Sequence, residues 1–133
     1  MDEAAFAKWL TEVERLCRET GHWSIGQQRV GHTLVYAPAG LDAMLALPVV
    51  ARALDAADHD HIRRGFQVEL FNRRGVHGFT HGQEELQLAK TYREIAEKYD
   101  LAKYPRIAAT LRGLAEGYER DAERESKRDP LED

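Results

Sequence analysis

The chain has 133 residues, enough for one domain. With 43% apolar residues it can bury a core without staples, and its one cysteine, Cys17, leaves no internal disulfide to form. Its net charge of -4, spread over both signs, argues against a general nucleic-acid binder but leaves room for a local basic patch.

The acidic start, Met1-Asp-Glu-Ala-Ala-Phe6, lacks the basic and apolar regions of a signal peptide, and no apolar run is long enough to span a membrane. A cytoplasmic protein with no membrane partner is the expectation. From Asp2 to Thr20 the residues Phe6, Trp9, Leu10, Val13, Leu16 and Cys17 recur at spacings of three and four, which predicts an amphipathic helix. Cys17 lies on that stripe and reads as a structural thiol, and Gly21 is a natural stop.

Residues 22–40 are punctuated by Gly26, Gly31 and Gly40, and His32–Ala37 has strand-like content. An irregular segment is expected there, holding a short strand or a short helix, with Trp23 anchoring it to the core. Leu41–Ala57 is strongly apolar, and Pro48 should break it and open the second piece. Asp58 or Asp60 can cap the next helix, which carries Ile62, Phe66, Leu70 and Phe71 and ends near Asn72, before Gly75.

Thr80-His-Gly-Gln83 fits a capping box that launches a helix to Asp100. Pro105 opens a last helix to about Glu125, and the charged end, 126–133, should fray. Leu88–Tyr99 and Ile107–Tyr118 echo each other at an offset of 19, with Ala, Thr, Arg, Ala, Glu and Tyr in register. Small inner alanines let two helices approach closely, so an antiparallel hairpin is predicted. The pattern is similar to one tetratricopeptide repeat hairpin, but Arg112 replaces a large apolar residue, and a single copy cannot make a stable array. The expected fold is therefore all-α: a compact bundle of about five helices over residues 1–125, ending in that hairpin.

Four histidines, His59, His61, His77 and His81, raise metal binding, yet Gly78 and Gly82 disfavour a helix that would align the last pair, and no HExxH-type frame exists. No metal or other cofactor is therefore assigned. Arg74 and His81 fit the loose Arg-x(4–6)-His pattern of HEPN-type ribonucleases, although glycines interrupt it. Gly26–Thr33 mimics a phosphate loop with His32 in place of the essential lysine. No serine elbow is present for nucleophilic catalysis.

The richest surface candidate is the connector holding Asn72, Arg73, Arg74, His77, Phe79 and His81, whose cations and aromatic exceed what a turn requires. It predicts a binding surface for a protein partner or a second copy, on a protein that is not an enzyme. The competing expectation is an RNA-acting or metal-dependent hydrolase using Arg74, His77 and His81. The run Arg63–Asp129, above all Arg-Gly-Phe-Gln-Val-Glu-Leu-Phe-Asn-Arg-Arg-Gly-Val-His-Gly-Phe-Thr, resembles small uncharacterised bacterial helical proteins, some carried near mobile elements. That resemblance implies a bacterial cytosolic setting and a role concerned with foreign DNA.

Overall fold

Apolar residues recur at helical spacings, and in the computed structural model Phe6 of the first such row, Ile62 of a middle one and Leu111 of the last are buried, while Trp9, Leu16 and Phe71 of the same rows stay exposed. The structure describes residues 2–40, 44–73 and 82–127. Among these residues six helices follow in order: α1 Glu3–Glu19, α2 Trp23–Leu34, α3 Pro48–Asp55, α4 Asp60–Arg73, α5 Gln83–Leu101 and α6 Pro105–Ser126. Among the described residues the only β feature is one isolated bridge, Ala39 to Ala46. The fold is all-α, as the periodicity predicts.

Helix α1 starts where Asp2 accepts from the backbone N–H groups of Ala4 (3.0 Å) and Ala5 (3.2 Å). It ends at Thr20, followed by Gly21 at φ 73°. Cys17 is half-buried and packs on Gly26 of α2, where a side chain would come within 2.6 Å of its sulfur.

Helix α2 fills most of the segment expected to be irregular, leaving only Val35–Gly40 without regular structure before residue 41. Its glycines lower helix propensity by about 1 kcal/mol each, and that local signal suggests a loop. Tertiary packing reverses it. Gly31 meets Ile62 and Phe66 of α4, and Gly65 of α4 meets Gln28 of α2. Contacts advance together along both helices, from Gln27 with Ile62 to Tyr36 with Glu69, so α2 and α4 run in the same direction. Trp23 is buried at the start of α2.

Pro48 opens α3 in its first turn, as expected. The pairs Gly82 with Ala122, Arg93 with Glu119 and Asp100 with Arg112 run in opposite order, so α5 and α6 form the predicted antiparallel hairpin. The echo marks its inner face: Ala89, Ala96 and Tyr99 are buried on α5, and Ala108, Ala115 and Tyr118 on α6. Arg112, misplaced for a repeat, is paired with Asp100 instead. Helix α5 begins at Gln83, directly after Gly82 in the left-handed conformation, without a side-chain cap; Thr80, the other half of the expected box, lies outside the described residues, as do Gly75 and Gly78.

The main core gathers Val50, Leu54, Ile62, Ile107 and Leu111, and a second cluster gathers Ala89, Leu114, Ala115 and Tyr118. Leu70 and Tyr92 touch both and join them. Complete burial of a side chain such as Ile62 or Ile107 contributes about 1.5–3 kcal/mol.

Buried polar side chains satisfy helix ends of other elements. Gln27 donates to the Asp58 carbonyl (3.2 Å) and accepts from the Ile62 N–H (3.3 Å), so α2 caps the start of α4. Asp55 accepts from the N–H groups of Arg106 (2.7 Å) and Ile107 (3.1 Å), so the end of α3 caps α6. Arg63 donates to the carbonyls of Leu54 (2.9 Å) and Ala56 (2.6 Å), closing the C-terminus of α3. The expected caps of α4, Asp58 and Asp60, are replaced in that role by this remote glutamine; Asp60 is instead the first helical residue.

Candidate functional site

Of the connector residues singled out by sequence, Asn72 and Arg73 close α4 and both are exposed. Arg74, His77, Phe79 and His81 lie outside the described residues. The surface that can be built therefore starts from Arg73 and runs back toward α2 and α1.

Arg73 places its guanidinium 5.3 Å from the ring centroid of Tyr36, a cation–π contact. Tyr36 lies just past α2, and its hydroxyl donates to the Glu69 carboxylate, one turn before Arg73 on α4. Two side chains at i and i+4 on α4 thus hold one ring from a different element. The Glu69 hydrogen bond, with burial and the same negative charge behind it, raises the Tyr36 hydroxyl above the ordinary tyrosine range, while Arg73 pulls the other way. Yet Tyr36 remains 64% exposed. A large aromatic that is both fixed and open to solvent is a prepared contact.

Beside it lies an apolar groove of about 320 Å³ lined by Phe6, Trp9, Thr33, Leu34, Tyr36, Ala37 and Pro38. Trp9 is 40% exposed at its rim and packs against Phe6, which is buried (ring centroids 5.8 Å apart). On the other side of Arg73, a smaller hollow of about 230 Å³ is walled by Leu70, Leu88, Tyr92 and Tyr118. There Phe71 stacks on Tyr118 (5.7 Å) and Tyr118 on Tyr92 (6.0 Å). Burial raises the Tyr92 hydroxyl, opposed by Arg73.

Tyr36 and Trp9 were not among the residues that the sequence singled out for binding. Tyr36 falls in the strand-like stretch and Trp9 on the amphipathic stripe, and nothing local distinguishes an apolar residue at a groove from one inside. Reading α2 as a helix would have supplied the signal: Tyr36 then falls one turn beyond Gly31 and His32, along the edge that meets α4.

Two of the other chemical candidates, His59 and the Gly26–Thr33 stretch, find structural uses. His59 is buried, bonds the Ala53 carbonyl through Nδ1 (2.7 Å) and meets Trp23 edge-on. Among the described residues no three of His, Cys, Asp or Glu gather where a metal could be held. The Gly26–Thr33 phosphate-loop mimic lies within α2, so its backbone amides are spent inside a helix. Among the described residues no helix is long and apolar enough to cross a membrane.

No protein-family model, no curated protein and no solved structure matches this chain.

Proposed function

We propose that this chain is a protein-binding module without an enzymatic role of its own. It takes a bulky apolar side chain of a partner protein into the groove between α1 and the end of α2, against Tyr36 and Trp9. Arg73 borders the ring and offers its charge to an acidic group next to that side chain. The bacterial cytosolic setting implied by residues 63–129, near mobile-element or defence systems, is part of the same proposal.

The observation that carries it is Tyr36, exposed yet held from both sides by Glu69 and Arg73 at the mouth of an apolar groove. Holding a contact residue in place before association removes part of the ordering cost of binding. Trp, Tyr and Arg are also the residues that dominate interface energies.

Affinity capture with the wild-type chain and with Tyr36→Ala, followed by mass measurement of the complexes, tests the reading. A protein retained by the wild type and lost with Tyr36→Ala is the expected result. A dimer in which both copies use this groove would identify the partner as the chain itself. Equal retention by the two forms would remove the groove from consideration.

A further inference from the structure

The geometry points to a second site, a small-molecule cavity walled on one side by Val35, Ala37, Ala39, Leu45 and Ala46, for a neutral and largely apolar molecule carrying one carbonyl-type acceptor. The inference goes beyond partner docking and does not depend on it. The cavity holds about 230 Å³ between the end of α2, α4, α5 and α6. Its walls include Leu34, Phe66, Leu70, Ile95 and Leu111. An engineered apolar cavity of about 150 Å³ admits benzene, so this space suits a larger ring system or a short branched chain.

One polar atom sets the chemistry. Tyr99 is only 4% exposed and lines the cavity. Its hydroxyl oxygen accepts from the backbone N–H of Ala46 (3.0 Å), another wall residue. That bond uses the oxygen as acceptor and leaves the hydroxyl's own proton to be donated to a second partner. A buried donor in this state favours a ligand that supplies an oxygen. The position of the hydroxyl is fixed: the Ala39–Ala46 bridge and the Gly40 N–H to Leu45 carbonyl bond (2.8 Å) hold the Ala46 backbone that Tyr99 grips. No Lys, Arg or His is among the described lining residues, so a carboxylate would enter without a counter-charge. A neutral ketone, ester or amide oxygen fits; a free acid does not.

Three probes of one shape separate these alternatives: 2-acetylnaphthalene, 2-ethylnaphthalene and 2-naphthoate, each titrated into the full chain and followed by amide chemical shifts. The expected result is saturable shifts at Leu34, Ala46 and Tyr99 with the ketone, binding about three- to tenfold tighter than the hydrocarbon, and the carboxylate weakest. Tyr99→Phe should erase the preference for the ketone while hydrocarbon binding remains. If that variant does not fold, contacts in the wild type between the probe's acetyl methyl and the Tyr99 ring provide the same test. Absence of localised shifts with all three probes, a preference for the carboxylate, or a ketone bound away from Tyr99 would each overturn the assignment.

Discussion

Gly31 of α2 and Gly65 of α4 face one another so closely that a methyl group on either would lie 2.1 Å from a backbone carbonyl of the other helix, that of Ile62 or of Gln28. Such a contact cannot be relieved by a rotamer change, because the obstacle is main chain. Gly31→Ala and Gly65→Ala should each lower stability by about 1–3 kcal/mol, despite alanine's better helix propensity. At Gly113 and Gly117 of α6 the nearest atoms are flexible side-chain ends at 3.7 and 3.8 Å. There the same substitution should stabilise by about 0.5–1 kcal/mol. Urea midpoints of the four variants check the contrast, and four shifts of one sign would refute the close crossing.

Asp55 ties α3 to the first turn of α6 across 51 residues of sequence. Its removal leaves the buried Ile107 N–H and the part-buried Arg106 N–H unmet. Asp55→Ala should therefore cost about 1–2 kcal/mol, the usual loss for a helix cap, with Asp55→Asn falling between it and the wild type because an amide oxygen still accepts. Thermal and urea unfolding would measure both. An alanine variant as stable as the wild type would mean that water replaces the carboxylate without loss.

These two relationships show where sequence reading stops. The stripes of α5 and α6 are legible because each encodes its buried face locally, and the Ala–Ala–Tyr echo even marks which residues line the hairpin; the stripe of α1 announces the helix, although only Phe6 of it is buried. Pro48 likewise announces α3. By contrast, α2 is disguised: Gly26, Gly31 and Gln27 resemble loop residues until their partners Cys17, Gly65 and Ile62 are known. The caps supplied by Asp55, Arg63 and Gln27 to other elements carry no local signature either. Arg73 could be singled out by charge, but its use on Tyr36 depends on the parallel pairing of α2 with α4, which no periodicity reports.

Arg93 and Glu119 clamp the hairpin with two hydrogen bonds, 2.9 and 2.6 Å. The hydrogen bond from Arg93 holds the Glu119 carboxyl below its ordinary value of 4.5, against a smaller opposing effect of burial. A depressed folded-state value means that the stabilisation is present above the ordinary carboxylate pKa and disappears as pH falls through the folded one. Both side chains face solvent, so a double-mutant cycle with Arg93→Ala and Glu119→Ala should return only a small coupling near neutral pH. The coupling should shrink in high salt and vanish in acid. A coupling unchanged across that titration would assign it to packing rather than charge.

The docking reading makes a graded demand on α4. Tyr36→Ala removes the contact ring itself and, as an exposed site, should leave the melting temperature nearly unchanged while weakening partner affinity by about ten- to a hundredfold. Glu69→Ala and Arg73→Ala leave the ring but free it to rotate. Each should weaken binding by about two- to tenfold, chiefly because immobilising the side chain is then charged to association. Trp9→Ala on the opposite rim should also weaken binding, whereas Lys90→Ala, exposed on α5, should not. Calorimetric titration of the captured partner against this series separates the two contributions. Equal losses for Glu69→Ala and Tyr36→Ala would show that the carboxylate, rather than the ring, meets the partner, and the groove would then be a bystander.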